Sequence, residues 1–424
     1  MVNQILKDPD TFGNNEQGSD LFKLLSEKGF IIGDSIDEFA LLKRQRKILC
    51  ESKAQLSLTI VPSLACNFQC IYCYQKENPQ RMSRHVEEAI LNFVRTKIQR
   101  KGSLSVDWFG GEPLLQMNTI QRLSKGFMKI CEKCDAEYSA GIVTNGYLFE
   151  KEIVDRLVEL KVKRAQITLD GPPEIHDKRR PHKGAKKTFD TILQNLKEAA
   201  DMVQISVRMN IDKENRDAIN SMLDILVAEG LEKRLGFYLG KTYPYTEVCA
   251  DISASCLNDA DFSLLGLEIL MELLDRGFAY SYWIPSSKSY MCTADRSNSF
   301  VISPSGGIVN CWNETAKPDE EIGHLLKPTT NKMTGNVHKW GQCDPFDRED
   351  CTKCVLLPMC SGGCPYMFKT QGKSECHNWK HNLNESIACY YYFKVIERDR
   401  KFGQQVFAAI DALKQLKTAA ENKR

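Results

Sequence analysis

From residue 56 to about residue 241 this chain of 424 residues repeats one unit. A short apolar, β-branched run ends in glycine or polar residues, and a stretch with helical periodicity follows. The runs are 56–63 (LSLTIVPS), 104–111 (LSVDWFGG), 139–146 (SAGIVTNG), 164–171 (RAQITLDG), 203–212 (VQISVRMNID) and 235–241 (LGFYLGK). Helical candidates at 84–100, 151–161 and 188–202 lie between them. Strands alternating with helices imply a parallel sheet, and right-handed crossovers then lead to a barrel or a doubly wound sheet. In both, ligands gather at the C-terminal ends of the strands. That edge is where the chain puts its unusual residues: a cysteine trio, "GGEP", "TNG", "LDG" and "RMN". Each alone is an ordinary strand-ending turn. Five on one rim mark a binding edge.

The pattern changes after residue 241. Residues 242–290 are mixed, with one helix expected at 262–277. From Cys292 cysteines and glycines dominate, and helical periodicity is absent until Leu383. The expected divisions are therefore an N-terminal extension (1–55), a strand–helix domain (56–241), a bridge (242–290), a cysteine-rich domain (291–390) and a C-terminal helix with a polar tail (391–424).

Lys+Arg 57 against Asp+Glu 55 leaves a net charge of +2, so no global field favours nucleic acid or a membrane surface. The polar N-terminus has no secretory signal, and the apolar run 262–274 is interrupted by Glu268 and Glu272, too short to span a bilayer. A cytoplasmic protein is expected. In that reducing setting, 17 cysteines point to metal binding or chemistry rather than disulfides.

Cys66, Cys70 and Cys73 form a C-x-x-x-C-x-x-C set with no local fourth thiolate. Structural zinc wants four ligands, and the nearest further candidate is His85. A three-thiolate set suits a 4Fe–4S cluster with one iron left for a substrate or cofactor. Further on, Cys292, Cys311, Cys351, Cys354, Cys360, Cys364, Cys376 and Cys389 could close one or two more clusters, with a pair of zinc ribbons as the alternative. Cys131 and Cys134, in a helical stretch, and Cys50, Cys249 and Cys256 read as ordinary core or surface residues. The polar segment 170–184, carrying His176, Arg179, Arg180 and His182, reads as a solvated turn or as a substrate-facing edge.

These residues resemble the radical S-adenosylmethionine (radical SAM) enzymes. The cysteine trio, with Tyr72 before its last member, is similar to that family's signature, and Gly110, Gly111, Glu112 and Pro113 are similar to its site for the cofactor's amino group. Cys292, Gly306, Cys311, Cys351, Cys354, Cys360 and Cys364 resemble the SPASM domain, which carries two auxiliary clusters. The resemblance, over about residues 56–390, implies an α/β fold: a partial (β/α)6 TIM-type barrel followed by a small cysteine-rich SPASM domain. It implies S-adenosylmethionine and three 4Fe–4S clusters as cofactors. Cys66, Cys70 and Cys73 would hold the first. Cys292, Cys311 and Cys364 would hold auxiliary cluster I. Cys351, Cys354, Cys360 and either Cys376, the preferred choice, or Cys389 would hold auxiliary cluster II. Asn145, Thr168, Asp170 and Arg208 would hold the ribose and carboxylate of S-adenosylmethionine.

Relatives differ over the fourth ligand of auxiliary cluster I. Some supply a cysteine shortly after the first, where this chain has Asn298 and neighbours without a thiol. That departure leaves an iron for a substrate thiolate or a side chain such as Cys343. The implied activity is maturation of a ribosomally made precursor peptide by hydrogen abstraction, installing a thioether, a carbon–carbon crosslink or a related change. A sulfatase-maturing (formylglycine-generating) enzyme is the alternative within the class, and a non-catalytic iron–sulfur electron carrier the alternative outside it. The short N-terminal extension leads to the expectation of a separate leader-binding protein, and cluster reduction requires a flavodoxin- or ferredoxin-type electron donor.

Overall fold

In the computed structural model, which describes residues 16–75, 78–278, 291–373 and 375–396, each of the six runs is a strand. They are β1 (Gln55–Ile60), β2 (Ser103–Trp108), β3 (Glu137–Thr144), β4 (Val162–Thr168), β5 (Gln204–Ile211) and β6 (Leu235–Lys241). All five pairings between successive members are parallel. The crossovers carry the helices α1 (Arg84–Lys97), α2 (Met117–Lys133), α3 (Lys151–Glu159), α4 (Pro173–Arg179), α5 (Phe189–Ala199) and α6 (Ile219–Ala228). The sheet order is β6-β5-β4-β3-β2-β1-β7-β8-β9, so the barrel is partial and does not close.

Parallel strands buried on both faces read as continuous apolar runs. Here they alternate. Leu56, Leu58 and Ile60, Leu104, Val106 and Trp108, and Ile205, Val207 and Met209 are almost wholly buried in one core with Ile90, Val94, Ile120, Leu123, Ile192 and Leu196 of the helices. The intervening residues of the strands, including Thr59, Asp107, Val143, Gln166, Ser206 and Tyr238, line a concave space of about 1310 Å³. The period of two thus divides an apolar outer face from a lumen of mixed character, where Asp107, Gln166 and Ser206 stand beside Val143, Phe109 and Trp312.

The last three strands were not expected from the sequence. β7 (Ser299–Ile302) adds in parallel to the free edge of β1, and β8 (Gly307–Val309) and β9 (Gly323–His324) follow antiparallel. They are four, three and two residues long, too short to show a period. The absence of helix expected from 292 to 383 is corrected by α8 (Asn331–Gly341) and α11 (Pro365–Gln371), which accompany the single turns α9 (Glu349–Thr352) and α10 (Leu357–Cys360). α8 starts at Thr330, whose hydroxyl accepts the Met333 N–H. The bridge holds α7 (Asp259–Asp275), and α12 (Trp379–Ile396) closes the described chain; the expected polar tail lies outside the described residues.

Residues 1–49 form a separate unit. Its described part contains the helix Glu16–Glu27, stopped by Gly29 in the left-handed region, and the start of the helix Glu38–Glu51, whose Ala40 N–H is capped by Asp37. Among the described residues no helix is long and apolar enough to cross a membrane.

Candidate active site

The cysteine loop leaves the C-terminal end of β1 and is clamped from two sides. On one side lies the "GGEP" turn after β2: Gly111 N–H donates to Ser63 O (3.2 Å) and Glu112 N–H to Ala65 O (2.9 Å). Gly110 has φ +136°, and a Cβ on Gly111 would collide with the carbonyls of Leu64 and Ala65. Only glycines allow this approach. On the other side lies the segment after β4: Gln69 N–H donates to Pro181 O, Ile71 N–H to Arg179 O and Lys183 N–H to Asn67 O, all at 2.9–3.0 Å.

Segment 170–184 is therefore no solvated turn. His176, Arg179 and Arg180 are buried, His176 and Arg179 lie on α4, and His182 packs its ring against Tyr147 and Phe68. Arg179 makes a double hydrogen bond to the Asp212 carboxylate (3.1 and 2.7 Å). Arg180 donates to the Tyr72 hydroxyl (2.6 Å), as does Asn210 Nδ2 (3.0 Å). The Tyr72 hydroxyl donates to Asp170, and the other oxygen of Asp170 accepts the Asn210 N–H (2.9 Å). Sequence reasoning missed the part played by Arg179 and Arg180; the basic doublet following "LDG" was the available signal.

Two of the acidic candidates are thus already engaged. Asp170 is taken as described. Glu112, also buried, accepts from Leu114 N–H, the Thr144 hydroxyl and Asn145 N–H at 2.8–3.0 Å. It caps the one-turn helix starting at Pro113 and joins it to the end of β3. Asn145 reaches Asn67 Oδ1 at 2.7 Å and lies 3.9 Å from the Cys66 sulfur. Thr168 ends β4, buried, and Arg208 on β5 bonds Asn210 and lies flat over Gly240, where a Cβ would strike the guanidinium.

Burial pushes the Cys66 and Cys70 thiols up to about 11, and raises Cys73 as well. Each feels another member of the trio, and the Arg180 guanidinium pulls all three back. Three thiolates on a 4Fe–4S core carry net negative charge, so a buried guanidinium beside them is a fitting counter-ion. Binding would release the thiol protons. His85 lies exposed on α1, and among the described residues no three Cys, His, Asp or Glu side chains converge on one metal ion. A cube-shaped cluster places each thiolate on a separate iron, so the donor set fits that group.

Two more thiol groups assemble in the cysteine-rich region. Cys292 and Cys364 both bear on Cys311, which burial holds well above the ordinary thiol range. Cys311 packs with Trp340, Cys343, Tyr366 and Met367, with Cys364 against the same cluster. Separately, Cys351, Cys354, Cys360 and Cys376 line a single cavity of about 370 Å³, with Lys380 Nζ 3.4 Å from the Cys376 sulfur. Cys389 is buried on α12 and is not among the lining residues. Of the thiols read as ordinary, Cys131 is buried on α2, Cys134 caps that helix, Cys50 and Cys249 are buried, and Cys256 is half-buried.

Aromatic side chains span the interval between the first trio and the second group. Phe109, next to the "GGEP" turn, stacks on Trp312, next to Cys311, with centroids 5.7 Å apart, and both line the lumen. Tyr74, next to Cys73, meets Tyr245 edge-on at 6.0 Å and lies in the field of both Cys73 and Cys311. None of these four was singled out from the sequence.

Residues 60–226 match the radical SAM superfamily. The chain is 24% identical over 393 residues to the radical SAM cyclopropyl synthase TigE of Paramaledivibacter caminithermalis, covering 83% of this chain and 77% of that protein. It is 28% identical over 178 residues to the sporulation killing factor maturation protein SkfB of Bacillus subtilis, covering 41% and 40%. Among solved structures, anSMEcpe with bound AdoMet and the Cp18Cys peptide gives a TM-score of 0.59 at 20% identity, over 78% of this chain and 98% of that one. Streptococcus suis SuiB bound to precursor peptide SuiA gives 0.51 at 18% identity, over 84% and 87%. These two likenesses concern the fold. A radical SAM domain implies S-adenosylmethionine and a 4Fe–4S cluster. Residues 60–226 thus carry a radical SAM domain, and in its fold the chain resembles SPASM-type peptide maturases.

Proposed function

We propose that the protein matures a ribosomally made precursor peptide, by abstracting a hydrogen atom and installing a thioether, a carbon–carbon crosslink or a related modification. The observation that carries the reading is the cysteine trio, clamped at the C-terminal rim of a sheet whose concave face is lined by residues of all six strands. That concave face stays open, because the sheet does not close, and has room for an extended chain. The names of SkfB and of the SuiB complex, a maturation protein and a precursor-peptide complex, agree with a peptide substrate.

In this reading Cys66, Cys70 and Cys73 hold the cluster to which S-adenosylmethionine binds. When bound and reduced, that pair supplies the 5′-deoxyadenosyl radical. The chain's own task is orientation and exclusion of water. Glu112 and Asp170 hold the turns whose backbone faces the cofactor, rather than touching it with their carboxylates. Asn145, Thr168 and Arg208 remain the side chains for its ribose and carboxylate. Cys292, Cys311 and Cys364 serve auxiliary cluster I, and Cys351, Cys354, Cys360 and Cys376 serve auxiliary cluster II. A leader-binding protein and a flavodoxin- or ferredoxin-type donor complete the system.

The test is anaerobic incubation of the reconstituted protein with dithionite and S-adenosylmethionine, with and without a precursor peptide encoded beside its gene. 5′-Deoxyadenosine together with a mass change in the peptide is expected. No 5′-deoxyadenosine would sink the enzyme reading; 5′-deoxyadenosine with unaltered peptides would sink the peptide reading.

A further inference from the structure

We propose that Arg348 is the buried counter-charge of auxiliary cluster II, set behind the wall of the cavity that Cys351, Cys354, Cys360 and Cys376 line, and that it raises the reduction potential of the cluster held there. This rests on the reading of those four thiols as a cluster site. Arg348 precedes α9, and its carbonyl accepts the Cys351 and Thr352 N–H groups at 3.1 and 2.9 Å. Its backbone therefore opens the turn that carries the first of the four thiols. Its side chain crosses to the turn that follows the third. Nη2 donates to the Gly362 carbonyl at 2.7 Å, and Gly362 is part of the cavity wall. Gly362 has φ +91°, and a Cβ there would strike both Nη2 and the Pro345 ring, so only glycine lets the guanidinium lie against this wall.

What the guanidinium lacks is an anion. Arg348 is 7% exposed. Its Nη2 is taken by a neutral carbonyl and its Nε and Nη1 are buried without hydrogen-bond partners, so among the described residues no carboxylate is bonded to it. Its face rests on the Phe368 ring, 4.4 Å from the centroid. An aromatic face offsets only part of the cost of burying a cation. Arg179, equally buried, meets that cost with the Asp212 carboxylate.

For Arg348 the anion at hand is the thiolate set on the other side of Gly362. Thiolates around a 4Fe–4S core carry net negative charge, which grows by one when an electron enters. A positive charge fixed in a dry wall therefore favours the reduced form over the oxidised one. Lys380 Nζ lies 3.4 Å from the Cys376 sulfur, but that side chain is exposed, where water and salt screen it. Arg348 is the cation of this region that solvent does not weaken.

The experiment uses the full chain with Cys66, Cys70 and Cys73 changed to alanine, which removes the first cluster and leaves the auxiliary sites. Iron and sulfide are counted, and both potentials are read by redox titration followed by electron paramagnetic resonance. About eight irons are expected. Arg348→Met and Arg348→Gln are expected to keep that iron and to move one potential negative by at least about 59 mV, a tenfold shift in that cluster's equilibrium. Arg348→Lys, which keeps the charge but not the planar fork, is expected to move it less. Phe368 packs with the other thiol group, so the series is repeated with Cys351 and Cys354 also changed to alanine. The roughly four irons left are then expected to show one potential whichever residue stands at 348. Unmoved potentials in the Met and Gln variants, an equal shift in all three variants, or a shift that survives loss of Cys351 and Cys354 would each overturn the assignment while the cluster reading stands. If the Met and Gln variants hold only about four irons, retention of about eight by Arg348→Lys supports the counter-charge, and loss from all three overturns it in favour of a purely structural clamp. About four irons in the parent would overturn the cluster reading and the proposal with it.

Discussion

The two cysteine regions are held in different ways. Around Cys66, Cys70 and Cys73 the loop is fixed by backbone hydrogen bonds to two neighbouring turns and by a polar web running from Arg180 through Tyr72 to Asp170 and Asn210. Beneath it lies the apolar core of six strands and their helices. Around Cys351, Cys354, Cys360 and Cys376 there are only single helical turns, glycines at positive φ, and a cavity whose walls include the thiols themselves. The first region is thus held by groups other than its thiols. The second has Phe346, Leu356, Leu357, Tyr366 and Met367 as its buried apolar groups but only short turns between its thiols, so its order is expected to depend on what those thiols bind.

The largest expected effect separates the two directly. Removing iron with a chelator under reducing conditions should abolish amide-exchange protection across 345–376 while the amides of β2 to β5 stay protected. Equal loss in both regions would break the contrast, and so would equal retention.

Next in size is the Arg179–Asp212 pair, both members about 4% exposed. Removing one partner of a buried pair strands the other charge at a cost of about 3–5 kcal/mol. Arg179→Met is therefore expected to lower the stability of the metal-free sheet domain by that amount in urea unfolding, without affecting exchange in 345–376. Tyr72→Phe should cost less, about 1–3 kcal/mol, because it leaves Asp170 and Arg180 each short of one partner in a buried setting. A loss below about 0.5 kcal/mol would show that water replaces the hydroxyl and that the web is looser than its geometry implies.

What could be read in the sequence follows the same division. The six strands were legible because short apolar runs alternate with stretches of helical period, and the trio was legible because its spacing is local. The residues that aim the trio were not. Arg179 and Arg180 look like surface charges in one dimension, and only the return of segment 170–184 across the cysteine loop buries them. Likewise Glu112 and Asp170 stand at the rim as expected, yet their oxygens are filled by Thr144, Asn145, Tyr72 and Asn210, partners 32 to 98 residues away. In the second region the thiols were legible individually, but which of them share a cavity depends on the turn at 361–363, whose left-handed Ser361 nothing in the sequence announces.

The smallest effect concerns His176, which belongs to the web but carries no charge in it. Its Nδ1 accepts the Asp170 N–H at 3.1 Å, and burial, with Arg180 and Arg179 nearby, holds its basicity well below the ordinary imidazole range. The folded protein therefore keeps this ring neutral where the unfolded chain protonates it, below about pH 6.5. The unfolded state then binds the extra proton, so stability falls as pH drops from about 6.5, by up to about 1.4 kcal/mol per pH unit. Above about 6.5 the ring contributes no slope. His176→Asn keeps an acceptor near the position of Nδ1 and removes the titration. The variant should show a flatter stability profile between about pH 5.5 and 6.5 and a profile parallel to the parent's above 7. Parallel profiles throughout would mean that the ring is protonated in the fold, and that the web around Asp170 is open to water in a way its hydrogen bonds do not imply.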